Sequence, residues 1–404
     1  MTPRVLHVID HTADGGAQVV VHQFIRQLKG RFDFAVTVLG RSGRFSGAYE
    51  AMGVPVFALC AKGSRWNPLP IVPLVDIIRQ NRFDLVHTHL FKANIIGTIA
   101  AKWAGVRTIL HDHWGVYPGT LKYHIPNRVM SRIYIEIYRY VLRLCDRALV
   151  LTEQDLRLYL KYYAIETSEI AVLPNSVDLN DFDSPTICSG TVREQLGLSP
   201  QTRLVVMIAR LEVEKDWLTF VQVARQVRAK MGPNCAFLIV GSGSEEQTLR
   251  NYLNTQNSHG IFFLGYRNDI PLLLRQADVF LLTSRFEPFG IVVLEAMAAG
   301  CPVVATRSGG PQTILTDEVD GLLGEVGDVY GLSARVLRLL NDEKLGQSLA
   351  LNARRKVVHY YNVNTISARM ASIYKETLGI THHDGSADPV GTEPTFGRSS
   401  GGMH

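Results

Sequence analysis

Short apolar runs alternate along this chain with longer stretches in which apolar residues recur every three or four positions. In the first half the runs are RVLHVI (Arg4–Ile9), FAVTVL (Phe34–Leu39), PVFAL (Pro55–Leu59), DLVHTH (Asp84–His89), RTILH (Arg107–His111) and RALVLT (Arg147–Thr152). Their Val, Leu and Ile are not interleaved with polar residues in a period of two, which marks strands buried on both faces. Between them lie stretches of helical period such as AQVVVHQFIRQLK and KANIIGTIAAKWAG. Strand, helix, strand in regular order predicts a parallel, doubly wound sheet. The pattern stops at LPNSVDLNDFDSPTICSG (Leu173–Gly190), whose Pro, Asn, Asp and Ser content reads as a linker. It then restarts with RLVVMIA, AFLIVG, IFFLG, DVFLLT, PVVAT and GLLG. Two α/β domains of similar build are therefore expected, 1–178 and 179–361. The closing stretch Thr381–His404 is polar and rich in Gly, Ser and Pro. It cannot bury enough apolar surface to offset its ordering, so disorder is expected there.

Composition narrows the class. With 46% hydrophobic and 20% charged residues in 404, the chain has the balance of an ordinary globular protein. The net charge of +5 is a mild excess that suits an anionic ligand or an acidic membrane surface. No long basic stripe with interleaved aromatics is present, so nucleic acid is not an expected partner. Cys60, Cys145, Cys188, Cys235 and Cys301 are scattered singly without a CxxC, which reads as reduced thiols in a cytoplasm and against a zinc site. The first residues lack the apolar run of a signal peptide, and no run reaches about 18 apolar residues, the length that spans a membrane.

Ligands of open parallel sheets sit beyond the carboxyl ends of the strands, and four stretches fall at such ends. Gly15 and Gly16 follow the first strand and open a helix, where bare amides and the helix start suit an anion. Their spacing is not GxGxxG, and the second strand ends without an acidic residue, so a nicotinamide dinucleotide is not indicated. In ILHDHWG, His111 and His113 end the fifth strand, and either could act on a hydroxyl; His113 is favoured. With Asp112 alone beside them they make a thin metal site. His87 and His89 read as structural. Arg210 and Lys215, five apart after the first strand of the second half, are two cations suited to a diphosphate, and Gly241 and Gly243 end the next strand.

The fourth stretch, TSRFEPFGIVVLEAMAAGCPVVATRSGG (Thr283–Gly310), carries Glu287 in a loop and Glu295 about one turn into a helix predicted over 291–299. The backbone of Phe289, Gly290, Ile291 and Val292 forms the helix start, ready for a phosphate. Carboxylates accept hydrogen bonds from paired hydroxyls, so one acid can hold a sugar ring and the other a ribose with a diphosphate between them.

EPFGIVVLEAMAAGCPVVATRSGG resembles the E-x7-E signature of the retaining group 1 glycosyltransferases (family 4). The likeness extends to Gly15–Gly16, His113, LPNSVD, and Arg210 with Lys215. Ala209, Ser176 and Ser242 stand where that family usually has a glycine, a glycine and an acid. The resemblance implies the GT-B fold: two Rossmann-like doubly wound parallel-sheet domains facing across a cleft, with the last helix, 362–380, crossing back to the first. It also implies roles. His113 and Glu287 would contact the donor sugar, with Phe289, Gly290, Ile291 and Val292 holding sugar and phosphate through their backbone. Glu295 would bind the ribose. Arg210 and Lys215 would neutralise the leaving diphosphate, and Gly15, Gly16 and Gly241 would approach the donor closely.

The implied reaction moves a sugar from a nucleotide diphosphate sugar to an acceptor hydroxyl with retention, without a cofactor or metal, because protein cations stabilise the leaving group. The helical segment Arg128–Arg147, rich in arginine, tyrosine and aliphatics, suits an anionic membrane surface. That places the protein in the cytoplasm, peripheral at the inner face of the membrane. A glycan or lipid-linked glycan acceptor in cell-surface polysaccharide or glycolipid assembly would follow. The alternatives are a sugar-nucleotide epimerase of the same architecture and a non-catalytic nucleotide-sugar sensor.

Overall fold

The computed structural model describes residues 2–13, 15–59, 70–116, 120, 127–183, 191–256 and 258–380. The closing stretch 381–404, the linker residues 184–190, and Cys60 and Cys188 lie outside the described residues. Two parallel sheets organise the chain. The first has seven strands, β1 (Arg4–Ile9), β2 (Asp33–Val38), β3 (Val56–Ala58), β4 (Leu85–His89), β5 (Arg107–His111), β6 (Arg147–Val150) and β7 (Ile170–Val172), in the order β3-β2-β1-β4-β5-β6-β7. The second has six, β8 (Arg203–Ile208), β9 (Cys235–Val240), β10 (Ile261–Gly265), β11 (Val279–Leu282), β12 (Val303–Thr306) and β13 (Leu322–Gly324), in the order β10-β9-β8-β11-β12-β13. In each sheet the strand order reverses beside its first strand, between β1 and β4 and between β8 and β11. A ligand crevice opens at such a switch point.

Both faces of each sheet are covered, which is why the strand sequences are apolar throughout. On the first sheet, Val5, Ile9 and Leu85 meet Phe24 of the Gly16–Leu28 helix on one face. Leu6, Val8 and Val86 meet Leu74 and Ile96 on the other. On the second sheet, Val205 and Phe237 pack under Phe220, and Leu204 and Leu238 pack under Leu294 and Met297. The Val363–Leu378 helix returns to the first sheet, where Ile366, Met370 and Tyr374 join its core. It is tied down by Val177 N–H to Tyr361 O, 2.9 Å, and Val363 N–H to Val177 O, 3.0 Å.

Strand β7 is not anticipated by the apolar pattern. Its three residues directly precede the Pro- and Asn-rich stretch, and only pairing with β6 makes them a strand. Cys145, Cys235 and Cys301 are free thiols, and burial pushes those of Cys145 and Cys235 up to about 12. No helix among the described residues is long and apolar enough to cross a membrane.

Candidate active site

A cleft of about 1490 Å3 lies where the two sheets present their carboxyl ends to each other. Gly15, Gly16, His113, Arg210, Lys215, Gly241, Glu287, Phe289, Gly290, Ile291, Val292 and Glu295 all line it. His111 does not; it is 1% exposed beneath the wall, so of the two histidines His113 is the one at the cleft.

The Glu287 loop is built by backbone pairing. Glu287 N–H donates to Ser308 O (2.9 Å) and Gly310 N–H donates to Glu287 O (2.8 Å). Gly309 has φ +117, a conformation natural to glycine, and a Cβ on Gly310 would overlap the Phe289 backbone. The diglycine at the end of the signature is therefore the brace that lets two backbones touch and aims Glu287 into the cleft. Gly290, at φ +99, then turns the chain into the Ile291–Ala298 helix, whose start faces the cleft.

Glu287 and Lys215 are not two independent groups, as the sequence suggested. Lys215 Nζ donates to Glu287 Oε2 at 2.7 Å, and both side chains are nearly buried. Lys215 is held by the strand end opposite: Thr283 Oγ1 donates to Asp216 O (3.0 Å), and Arg285 N–H donates to Glu214 O (2.7 Å). Arg285 also pairs with the buried Asp216 carboxylate at 2.9 Å. Arg210, by contrast, is exposed to the cleft. Its charge, after burial itself, lowers the pKa of His11 on the opposing wall. A Cβ at Gly241 would strike Ala209 O, so only glycine lets these two strand ends meet beside Arg210. Glu295 sits lower in the cleft wall. Burial, reinforced by the Asp181 charge, pushes its carboxyl up to about 7.

From the first sheet, Gly16 starts a helix whose end has no side-chain cap. A Cβ on Gly16 would come within 3.1 Å of Ile291 Cδ1 across the cleft. Two helix starts, one from each domain, thus face the same space, and each offers amides with no intrahelical partner. The His113 loop is shaped by Asp112. Its buried carboxylate accepts from the amides of Trp114 and Val116, both 2.8 Å, and from the Tyr159 hydroxyl. Burial raises its pKa to about 7 against the opposing pull of those amides.

His11, Asp181 and Gln18 escaped sequence reasoning, and Asp112 entered it only as a thin metal partner of the two histidines. Gln18 Nε2 bonds His11 Nδ1 at 3.1 Å. A signal existed for His11, which lies two residues past the end of β1. Asp14 and Trp66 lie outside the described residues. His89, which reads as structural in the sequence, is bonded directly to His113 (3.1 Å). Taken together, the cleft offers a cation, a lysine–glutamate pair, two helix starts and an upshifted carboxyl. That set suits an elongated ligand with an anionic centre and hydroxyl-bearing ends.

The family described as "Glycosyl transferases group 1" matches residues 189–356, and "Glycosyltransferase Family 4" matches residues 14–181. The chain is 30% identical over 298 residues to the UDP-Gal:alpha-D-GlcNAc-diphosphoundecaprenol alpha-1,3-galactosyltransferase of Escherichia coli, covering 72% of this chain and 75% of that one. It is 25% identical over 365 residues to the N,N'-diacetylbacillosaminyl-diphospho-undecaprenol alpha-1,3-N-acetylgalactosaminyltransferase of Campylobacter jejuni, covering 88% and 94%. Among solved structures, Anabaena Alr3699/HepE in complex with UDP and glucose superposes with a TM-score of 0.79 at 22% identity, over 92% of this chain and 99% of that one. WaaG, a glycosyltransferase involved in lipopolysaccharide biosynthesis, superposes with a TM-score of 0.73 at 17% identity, over 91% and 99%. These two likenesses establish the GT-B fold.

Proposed function

This chain belongs to the group 1 glycosyltransferases of family 4, and we propose that it moves a hexose from a nucleotide diphosphate sugar to a hydroxyl of a lipid-linked glycan, with retention at the anomeric carbon. The observation that carries this reading is the Lys215–Glu287 pair at the mouth of the Ile291–Ala298 helix, with Gly16 against Ile291 across the cleft. The gap between two helix starts suits a diphosphate, with Arg210 above it. Glu287 accepts from sugar hydroxyls, Glu295 from the ribose, and His113 touches the sugar near the reacting carbon. As the nucleoside diphosphate departs, Arg210 and the helix starts meet the charge that develops, without reorganising. Closure of the domains excludes water. The acceptor class is supported by the names of the two relatives, both of which act on undecaprenyl-diphosphate-linked sugars.

The test is transfer from UDP- and GDP-sugars to a short-chain polyprenyl-diphosphate-linked sugar. A new glycolipid whose anomeric configuration matches the donor's is expected, at an unchanged rate in EDTA. Consumption of the donor to another sugar nucleotide without acceptor would replace this reading with an epimerase.

Glu295 gives a pH prediction. Its raised pKa means that near pH 7 the free protein holds it partly protonated, and ribose hydroxyls need the carboxylate as acceptor. Nucleotide affinity therefore falls below pH 7, by up to about tenfold per pH unit, while Glu295→Gln binds weakly at every pH with a flat profile. Calorimetry from pH 5.5 to 8.5 checks both.

The Arg128–Leu142 helix carries the membrane reading. Tyr134 and Tyr138 are buried, while Val129, Arg132, Ile133, Glu136, Tyr140 and Arg143 are exposed, with Glu136 paired to Arg139. Apolar residues flanked by arginines suit the headgroup boundary of an anionic bilayer. Sedimentation with anionic liposomes is expected at low salt, and Ile133→Asp with Tyr140→Asp abolishes it. No sedimentation of the wild type would remove the membrane from the proposal.

A further inference from the structure

Beneath the cleft wall, five histidines from neighbouring strands meet: His7 of β1, His87 and His89 of β4, His111 of β5, and His113 just beyond it. None is more than 7% exposed. Four of them, with one tyrosine, form an unbroken line. His113 Nε2 lies 3.1 Å from His89 Nδ1, and His89 Nε2 lies 2.8 Å from His7 Nδ1. His7 Nε2 lies 3.5 Å from the hydroxyl of Tyr374, which is 2.7 Å from His87 Nδ1. The line thus runs from the cleft to the helix that returns from the second domain.

Burial drives all of these imidazoles to the neutral form. A neutral imidazole has one N–H and one lone pair, so a ring bonded at both nitrogens donates on one side and accepts on the other. Along His7, His89 and His113 the proton order is therefore all or none, and the Tyr374 hydroxyl can donate to only one of its two neighbouring rings. In one order the Tyr374 hydroxyl donates to His87, His7 Nε2–H to Tyr374, His89 Nε2–H to His7, and His113 Nε2–H to His89. In the reverse order every donor becomes an acceptor. Each leaves one N–H unpaired, at His87 Nε2 in the first and at His113 Nδ1 in the second; neither atom has a partner. The two Tyr374 distances separate them. A phenol is the stronger donor, 2.7 Å is the usual O–H···N length, and 3.5 Å is the weaker contact. The first order puts the phenol proton in the short bond.

Resting on the reading of His113 as a donor-sugar contact, we propose that His89, His7 and Tyr374 are positioning residues that lock His113 as its Nε2–H tautomer and leave its buried Nδ1 without a proton. The nitrogens of His89, His111 and His113 also lie within 4.8 Å of one another, as metal ligands can. The rings argue for the relay: those of His111 and His113 stack 4.1 Å apart at 29°, whereas ligands of one ion radiate from it.

The experiment uses the full chain labelled with [15N]histidine, with His113 assigned by comparison with His113→Asn. A pyridine-like Nδ1 and a pyrrole-like Nε2 at His113 are expected. Tyr374→Phe preserves the ring packing and removes the anchor; His113 becomes a mixture of tautomers and kcat/KM for the donor falls about tenfold, the value of one hydrogen bond, with an unchanged fold. His89→Asn places an amide oxygen where Nδ1 was and restores the Nε2–H tautomer, whereas His89→Leu does not. A pyrrole-like Nδ1 in the wild type, or a His113 spectrum unmoved by Tyr374→Phe, overturns the proposal. So does stoichiometric zinc or iron in the purified protein, removed together with activity by a chelator. The tautomer is read without turnover, so failure of every donor in the transfer assay would sink the proposed function and leave the relay standing.

Discussion

Arg210→Ala lowers kcat/KM by about two to three orders of magnitude while leaving the thermal transition almost unmoved. The size is that of removing one preorganised donor from a site of developing negative charge. The two cations of this cleft are not equivalent, which separates the effect from a stability loss. Arg210 is exposed to the cleft on its own domain. Lys215 is bonded to Glu287 in a nearly buried pair, so its charge is already balanced before any ligand enters. Lys215→Ala leaves the Glu287 carboxylate without its partner and costs about 3 kcal/mol of stability as well as activity. Lys215→Ala with Glu287→Gln recovers much of that stability and none of the activity. Steady-state kinetics beside melting curves for the three variants check this. Near-wild-type turnover in Arg210→Ala would refute its role at the leaving group.

Gly310→Ala is the second large effect, and it arises without touching a ligand. The added methyl group would overlap the Phe289 backbone, where no side chain can swing aside. The loop carrying Glu287 must move, breaking Gly310 N–H to Glu287 O and the Glu287 N–H to Ser308 O bond beside it. About 3 kcal/mol of overpacking, at roughly 2–4 °C per kcal/mol, lowers the transition of the second domain by several degrees. Displacing Glu287 by about 1 Å costs about 100-fold in activity. Gly300→Ala, where a Cβ meets nothing within 4 Å but φ is +72, should cost about 1 kcal/mol and leave activity intact. The contrast between the two glycines is the check, by differential scanning and donor turnover.

The apolar runs revealed the strands because a strand buried on both faces has no polar period to confuse with a surface helix. β1, β5 and β10 fall where their runs do, β2 and β9 start one residue before theirs, and the others are trimmed by a residue or more at their ends. β7 was illegible because three residues carry too little pattern. That these residues would line one cleft was legible because a parallel sheet collects its loops at one end, so motifs at strand ends converge whatever their separation in the chain. What they do to each other was not legible. Lys215 and Glu287 stand 72 positions apart, and nothing local says that they share a hydrogen bond. His89 shows the same limit: alone on a buried strand it reads as core, and only β1 and β5 on its two sides turn it into a link between His113 and His7.

By itself, then, the order of residues determined two doubly wound sheets, the placement at strand ends of the motifs it singled out, and the glycines where backbones must touch. Those properties are set by periodicity and by the conformational freedom of single residues. Tertiary structure alone decided which cation is balanced and which is open, which carboxyl is pushed up to about 7, and which histidine reaches the cleft. Charge balance, desolvation and proton order depend on neighbours brought together from distant parts of the chain, and no local pattern encodes them.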